Sequence, residues 1–265
     1  MKKMRFFALL LCLCLLMGLC ACGNRTGGAY TKIATLAEGT YGIGFRNEDP
    51  AADYVEAAMK VLAAGGQIHE SAVRWFGDDP TYFPGDPGAL DGLAAPEART
   101  FIMGVDIDNF PMSYKSGDQY AGFDVELAQQ VCQLLGWELR FQEIGDEAQA
   151  YVELSSGNVD CVWGGMMLGA EETKFRVVGP YMDCDLVVVV LAGNHLGSLR
   201  KLADKSVAMN DAEKYKNASE ASALPNTVGE VRSLSIGSDR LFDGLVKGTY
   251  DAILTDSAAA LYYMR

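Results

Sequence analysis

Gly122-Phe123-Asp124-Val125-Glu126-Leu127-Ala128-Gln129-Gln130-Val131-Cys132-Gln133-Leu134-Leu135 carries the clearest periodic signal in the chain. Phe123, Leu127, Val131 and Leu135 recur every four residues, the repeat of one apolar helix face, and Gly122 marks where the helix opens. Asp124 is expected to cap the first turn. Residues 101–105 upstream and 159–163 downstream are short apolar runs of strand length. Strand, helix and strand in this order argue an α/β fold with largely parallel sheets. The alternation continues on both sides. Strands are expected over 32–36, 41–45, 186–191, 206–209 and 252–254, and helices over 51–64 and 68–75. The run 186–191 is apolar at every position, as in a strand covered on both faces. Residues 77–96 have no period but hold Asp78-Asp79-Pro80 and Pro84-Gly85-Asp86-Pro87-Gly88, so turn chemistry makes them a linker or surface loop.

Composition narrows the function. The 265 residues are 49% hydrophobic and 22% charged, with a net charge of −13, so nucleic acid is excluded as a natural partner. Lys2, Lys3 and Arg5 precede an apolar stretch that ends in Leu19-Cys20-Ala21-Cys22. That ending resembles the lipobox of bacterial lipoproteins, so residues 1–22 are expected to be a cleaved signal, with lipid on Cys22 and a flexible tether over 23–30. Three cysteines then remain, Cys132, Cys161 and Cys184. An odd number without a CxxC pair suggests neither a disulfide framework nor a zinc site, and Cys132 and Cys161 are expected to be buried thiols. His69 and His195 have no evident catalytic partner, and Gly39–Gly44 has the wrong order for a dinucleotide loop. No enzyme, cofactor or metal is expected.

Gly122–Leu127, with Val131-Cys132 and Leu135 after it, resembles the signature of the family 3 extracellular solute-binding proteins. The flanks agree in order: Gly104-Val105-Asp106, Pro111-Met112, Ser156-Gly157-Asn158-Val159-Asp160, Gly179-Pro180-Tyr181 before 186–191, and Asp251–Asp256 before Leu261-Tyr262-Tyr263. The resemblance implies a two-lobed clamp that captures polar amino acids or related compounds for an ABC importer. The expected partners are therefore a small-molecule ligand, an ABC permease and, through the lipid, the cell membrane, with the protein monomeric and extracytoplasmic. A sensor, or a receptor on the same fold that no longer transports, is the alternative.

One segment is out of the family's order. Its closing strand, returning hinge, last helix and final Trp-Phe-Gly resemble residues 32–36, 41–45, 51–64 and Trp75-Phe76-Gly77, at the other end of this chain. This pattern implies a circular permutation, with 78–98 joining the old termini. Lobe II is then 31–38 plus 192–265, lobe I is 43–183, and hinge strands cover 39–45 and 184–191.

The resemblance also assigns the pocket. Asp106 and Asp256 stand where carboxylates of each lobe receive a ligand ammonium, with Asn109, Phe110, Gly164 and Gly165 beside them. Where the family holds the ligand carboxylate, Glu172 replaces an Arg and Met167 a Thr, with Arg176 four residues on as a possible substitute. Asn210 and Asp211 replace the small turn residues of lobe II, and Glu147 stands in an aromatic position. An acidic pocket without a guanidinium fork would repel a carboxylate, so the expected ligand is cationic or amine-bearing.

Overall fold

The computed structural model describes residues 29–164 and 175–265. They form two five-stranded sheets and a small three-stranded one. The lobe I sheet is built from β2 (Thr40–Phe45), β3 (Thr100–Val105), β7 (Glu138–Glu143), β8 (Cys161–Val162) and β9 (Arg176–Asp183), in the order β7-β3-β8-β2-β9. The lobe II sheet joins β1 (Tyr30–Ala37), β10 (Leu186–Leu191), β11 (Ser206–Asn210), β12 (Glu230–Leu234) and β13 (Ala252–Asp256), in the order β1-β10-β13-β11-β12. Strands β4 (Asp108–Asn109), β5 (Ser113–Ser116) and β6 (Gln119–Ala121) make the third.

The expectation of largely parallel sheets holds for half of each sheet. Strands β7, β3 and β8 run parallel, as do β12, β11 and β13. The pairings that involve β1, β2, β9 and β10 are antiparallel. The cause is topological. The segments β1–β2 and β9–β10 each leave one sheet and enter the other, in opposite chain directions, so each sheet receives one strand from each crossing. They travel side by side: Ala37 pairs with Leu186, Thr40 with Asp183, and the Cys184 N–H donates to the Gly39 carbonyl at 2.8 Å.

Helices cover the sheets where the periodicity placed them. Helix α1 spans Ala51–Ala64 and α2 spans Gln67–Phe76; both pack with α3 (Phe123–Leu135) on lobe I. Helix α3 is not capped by Asp124. Gly122 precedes it at φ 130°, where a Cβ would lie 2.2 Å from the Met112 carbonyl oxygen, so only glycine fits. The first N–H groups, of Phe123 and Asp124, donate instead to the carbonyls of Pro111 and Met112. Helix α4 (Glu147–Ser156) closes a separate small core of Ile144, Ala150, Leu154, Val159 and Val162.

Lobe II explains why 186–191 is apolar throughout. Leu186, Val188 and Val190 join one core with Val207, Met209 and Leu254, while Val187 and Val189 face the opposite one with Ala208 and Ile253. Period-two alternation is intact, but both faces are dry. One face is covered by α5 (Glu213–Ala221) and α6 (Leu224–Thr227), the other by α7 (Ser238–Val246) and α8 (Ser257–Met264). Cys132, Cys161 and Cys184 are free and buried. Residues 78–98 are largely irregular but lie on lobe I, where the Tyr82 N–H donates to the Tyr181 carbonyl at 3.1 Å and that of Asp86 to Lys60 at 3.0 Å.

Candidate functional site

Two strand ends bring the expected ammonium-binding carboxylates into one another's field. Asp106 follows β3, and Asp256 ends β13. Burial pushes the Asp106 carboxyl up; the Asp108 N–H, donating to Oδ1 at 2.9 Å, and the Lys214 ammonium pull it down, and the charges of Asp108 and Asp256 raise it again. The backbone at this point is pinned, because Ser113 Oγ donates to the Asp106 carbonyl at 2.6 Å.

Asp256 is fully buried and already engaged. Its Oδ1 accepts from the Ala259 N–H at 2.8 Å, capping α8, and its Oδ2 accepts from the Tyr215 hydroxyl at 3.2 Å. Asp256 is thus the N-cap of α8. Tyr215 lies on α5, and burial followed by the charge of Asp256 keeps its hydroxyl protonated. Tyr41, on the β2 crossing, is buried with its hydroxyl near Cys184 and Asp256. Burial raises the Cys184 thiol to about 12, Lys214 acting against it.

The remaining expected residues divide into three groups. Asn109 is buried on β4, and among the described residues its amide nitrogen has no hydrogen-bond partner. Phe110 reaches across to lobe II: its ring centroid lies 4.9 Å from Tyr114, 4.8 Å from Tyr262 and 5.8 Å from Tyr263. Gly164 sits at φ 100°, where a Cβ would be 2.7 Å from Ser113 Oγ, so it belongs to the support under Asp106. Asn210 is occupied within its own turn, donating to the Ile236 carbonyl at 2.7 Å and accepting from the Ala212 N–H at 2.7 Å. Asp211 is exposed. Gly165, Met167 and Glu172, and Cys22 at the other end, lie outside the described residues, as does the side chain of Glu147.

Arg176 is engaged elsewhere, pairing with Asp53 at 2.6 Å and reaching Glu56 at 3.7 Å on α1. Lys214, Tyr215, Tyr41 and Cys184 were not singled out as pocket residues in the sequence. Nothing in their spacing signals a site, since they come from α5 and the two crossings. An open groove of about 420 Å³ runs along those crossings, lined by Glu38, Gly39, Thr40, Asp183 and Asp185. It includes none of the expected ligand-binding residues. Among the described residues no acid, His and Cys cluster could hold a metal, and no helix is long and apolar enough to cross a membrane.

Residues 101–223 match the bacterial extracellular solute-binding proteins, family 3. That match covers less than half of the chain. It is 33% identical over 114 residues to the arginine-binding extracellular protein ArtP of Bacillus subtilis, covering 42% of this chain and 44% of that one. It is 26% identical over 205 residues to the membrane-bound lytic murein transglycosylase F of Salmonella paratyphi B, covering 73% of this chain and 37% of that one. The chain thus spans less than half the length of these curated relatives. Two solved structures share its two-lobed fold. The ancestral amino acid-binding protein AncCDT-1, a precursor of cyclohexadienyl dehydratase, is 29% identical with a TM-score of 0.52, covering 62% of this chain and 73% of that one. An ABC uptake transporter substrate-binding protein from Streptococcus pneumoniae with bound histidine is 25% identical with a TM-score of 0.53, covering 62% and 69%.

Proposed function

We propose that this protein is the solute-binding subunit of an ABC importer and that it closes on a small amine-bearing ligand, amino-acid-like or simply cationic. The observation that carries the reading is that Asp106, at the end of a strand of one sheet, feels the charge of Asp256, at the end of a strand of the other, with two crossings between those sheets. Asp106 has one oxygen tied to a backbone N–H, is largely desolvated, and gains most from a cation that enters the cleft. Short paired crossings permit closure, and a ligand that contacts both lobes shifts the population toward the closed form. Two of the similar proteins support a binding role: one is named for arginine and another holds histidine.

Lipid on Cys22 would hold this receptor at the outer face of the cell membrane, beside its permease. The chain order is a circular permutation of the family's. In support, β1 and β2 complete both sheets and α1 and α2 pack on lobe I, although all four precede the matched residues 101–223. Moving residues 30–77 behind Arg265 should therefore leave a chain that folds with the same ligand preference.

Ligand-induced stabilisation tests the binding function. With the chain from Gly23 onward and Cys22 removed, an amine or amino acid at one hundred times its Kd should add about 2.7 kcal/mol of stability, seen as a raised Tm. A panel of amino acids, polyamines and quaternary amines that leaves the Tm unmoved would sink the proposal. Asp106→Asn should cost the binding ligand at least tenfold in Kd while leaving the fold intact.

A further inference from the structure

We infer that Asp124 is a positioning residue for the ligand site: through the Tyr181 hydroxyl it ties the loop that carries Asp106 to the crossing strand β9. This rests on the amine-binding proposal above. The sequence suggests only a helix cap at Asp124. The fold puts it between two parts that a clamp must keep in step, the loop that meets the ligand and a strand that leads to the other sheet.

The loop over 106–113 is fastened from below. The N–H groups of Phe123 and Asp124 donate to the carbonyls of Pro111 and Met112 at 3.0 and 2.9 Å, and the Met112 N–H donates to the Asn109 carbonyl at 2.8 Å. Ser113 Oγ donates to the Asp106 carbonyl at 2.6 Å. One carboxyl oxygen of Asp124, Oδ1, accepts from the Tyr181 hydroxyl at 2.7 Å, close to where β9 ends at Asp183. The other, Oδ2, is fully buried and has no hydrogen-bond partner among the described residues. It faces Gly164, where a Cβ would lie 3.5 Å from Oδ2 and 2.7 Å from Ser113 Oγ. Asp124 and the hydroxyl that pins Asp106 thus share the space over one glycine.

A carboxylate here would be uncompensated, because no cation contributes to its surroundings. On its own helix Glu126 pairs with Arg74 at the surface. The titratable groups that face Asp124 are Tyr181 and Cys184, with Tyr41 stacked on Tyr181, and burial keeps all three protonated. Oδ2 therefore carries a proton, in keeping with a carboxyl that burial raises to about 7 against the pull of the Tyr181 bond. Ionisation leaves an unpaired charge in a dry place, relieved only by admitting water or by shifting the first turn of α3. Either change reaches the Asp106 loop through the Pro111 and Met112 carbonyls. Ligand affinity should accordingly fall as pH rises through about 7. Asp106 titrates in the opposite sense, since a cation binds its ionised form.

Calorimetric titrations with arginine and with agmatine, whose guanidinium keeps its charge throughout, compare the wild type with Asp124→Asn at pH 6 and pH 8. Asn keeps the shape and the acceptor for Tyr181 but has no proton to lose. The titration of Asp106 acts on both proteins alike, so the ratio of their Kd values reads Asp124. At pH 6 the two should agree, and at pH 8 the wild type should bind about tenfold more weakly than Asp124→Asn. Tyr181→Phe keeps the ring and loses the bond; it should bind about tenfold more weakly at pH 6. Infrared spectra of the ligand-free protein give a second reading. A protonated-carboxyl band should be present at pH 6, fade by pH 8, and be missing from Asp124→Asn. A Kd ratio that does not change with pH, a Tyr181→Phe protein that binds as the wild type does, or a band that persists at pH 8 overturns the positioning role and leaves the amine clamp standing. If Asp124→Asn does not fold, Tyr181→Phe and the band decide. Absence of binding by the wild type at both pH values overturns the clamp as well.

Discussion

The lobes are joined in two physically different ways. At the crossings the link is backbone: β1–β2 and β9–β10 run antiparallel, with Cys184 N–H bonded to the Gly39 carbonyl and Tyr41, Tyr181 and Cys184 buried against them. Elsewhere the link is a seam of side chains. Phe110 meets Tyr262 at 4.8 Å, Tyr262 meets Trp75 at 6.3 Å, and Trp75 is held by Glu126 through its indole N–H at 2.9 Å. The Arg265 guanidinium lies 4.1 Å over the Tyr262 ring and donates to the Arg74 and Trp75 carbonyls at 2.9 Å each. Backbone pairing in a dry core opens only with the fold, whereas each seam contact is worth about 0.5–1.5 kcal/mol and can part on its own. A clamp needs one edge of each kind.

The strongest way to break this comparison is Tyr41→Ala. Tyr41 is fully buried on a crossing, its ring 6.2 Å from that of Tyr181. Its loss should cost about 3–5 kcal/mol in urea unfolding. A cost no larger than that of a seam variant would erase the distinction.

Asp124 tests the dry interior beside the crossings. It is fully buried, accepts from the Tyr181 hydroxyl at 2.7 Å, and burial raises its carboxyl to about 7. The folded protein therefore keeps a proton that the unfolded chain releases near pH 4. Stability from this group should fall as pH rises from about 4 to about 7, by at most about 1.4 kcal/mol per unit. Asp124→Asn should remove that slope when unfolding curves are compared at pH 5 and pH 8. An unchanged slope would mean that the carboxyl is wet or already ionised.

Gly164→Ala sharpens the picture under the site. The new Cβ would press on Ser113 Oγ, which holds the Asp106 carbonyl, at a backbone angle that suits glycine. A loss of about 1–3 kcal/mol is expected, together with weaker ligand binding. Arg265→Ala should have the smallest effect, about 1 kcal/mol or less. Small-angle scattering of the ligand-free protein should nevertheless give a larger radius of gyration, because a seam contact is gone. An identical radius would show that Arg265 does not help to hold the lobes together.

Helix α1 was legible in the sequence to the residue, and α2 and strand β10 nearly or fully so, because each buries a continuous stripe or run that only one period fits. Asp124 was misread as a helix cap. A carboxyl in the first turn carries the same local signal whether it faces water or a tyrosine hydroxyl 57 residues away. Asp106 and Asp256 were expected in the pocket from the family's motifs, and in the fold the charge of Asp256 acts on Asp106.

The sequence alone determined the helices over 51–64, 68–75 and 123–135, the strand over 186–191 and its double burial, since these depend on local periodicity and residue chemistry. Only the tertiary structure decided that both sheets are mixed, that Arg176 pairs with acids of α1, and that the Asp124 carboxyl is buried against the Tyr181 hydroxyl. Those outcomes depend on which distant segments share a volume from which water has been removed. Charge, in particular, takes its meaning from its neighbours there and not from its place in the chain.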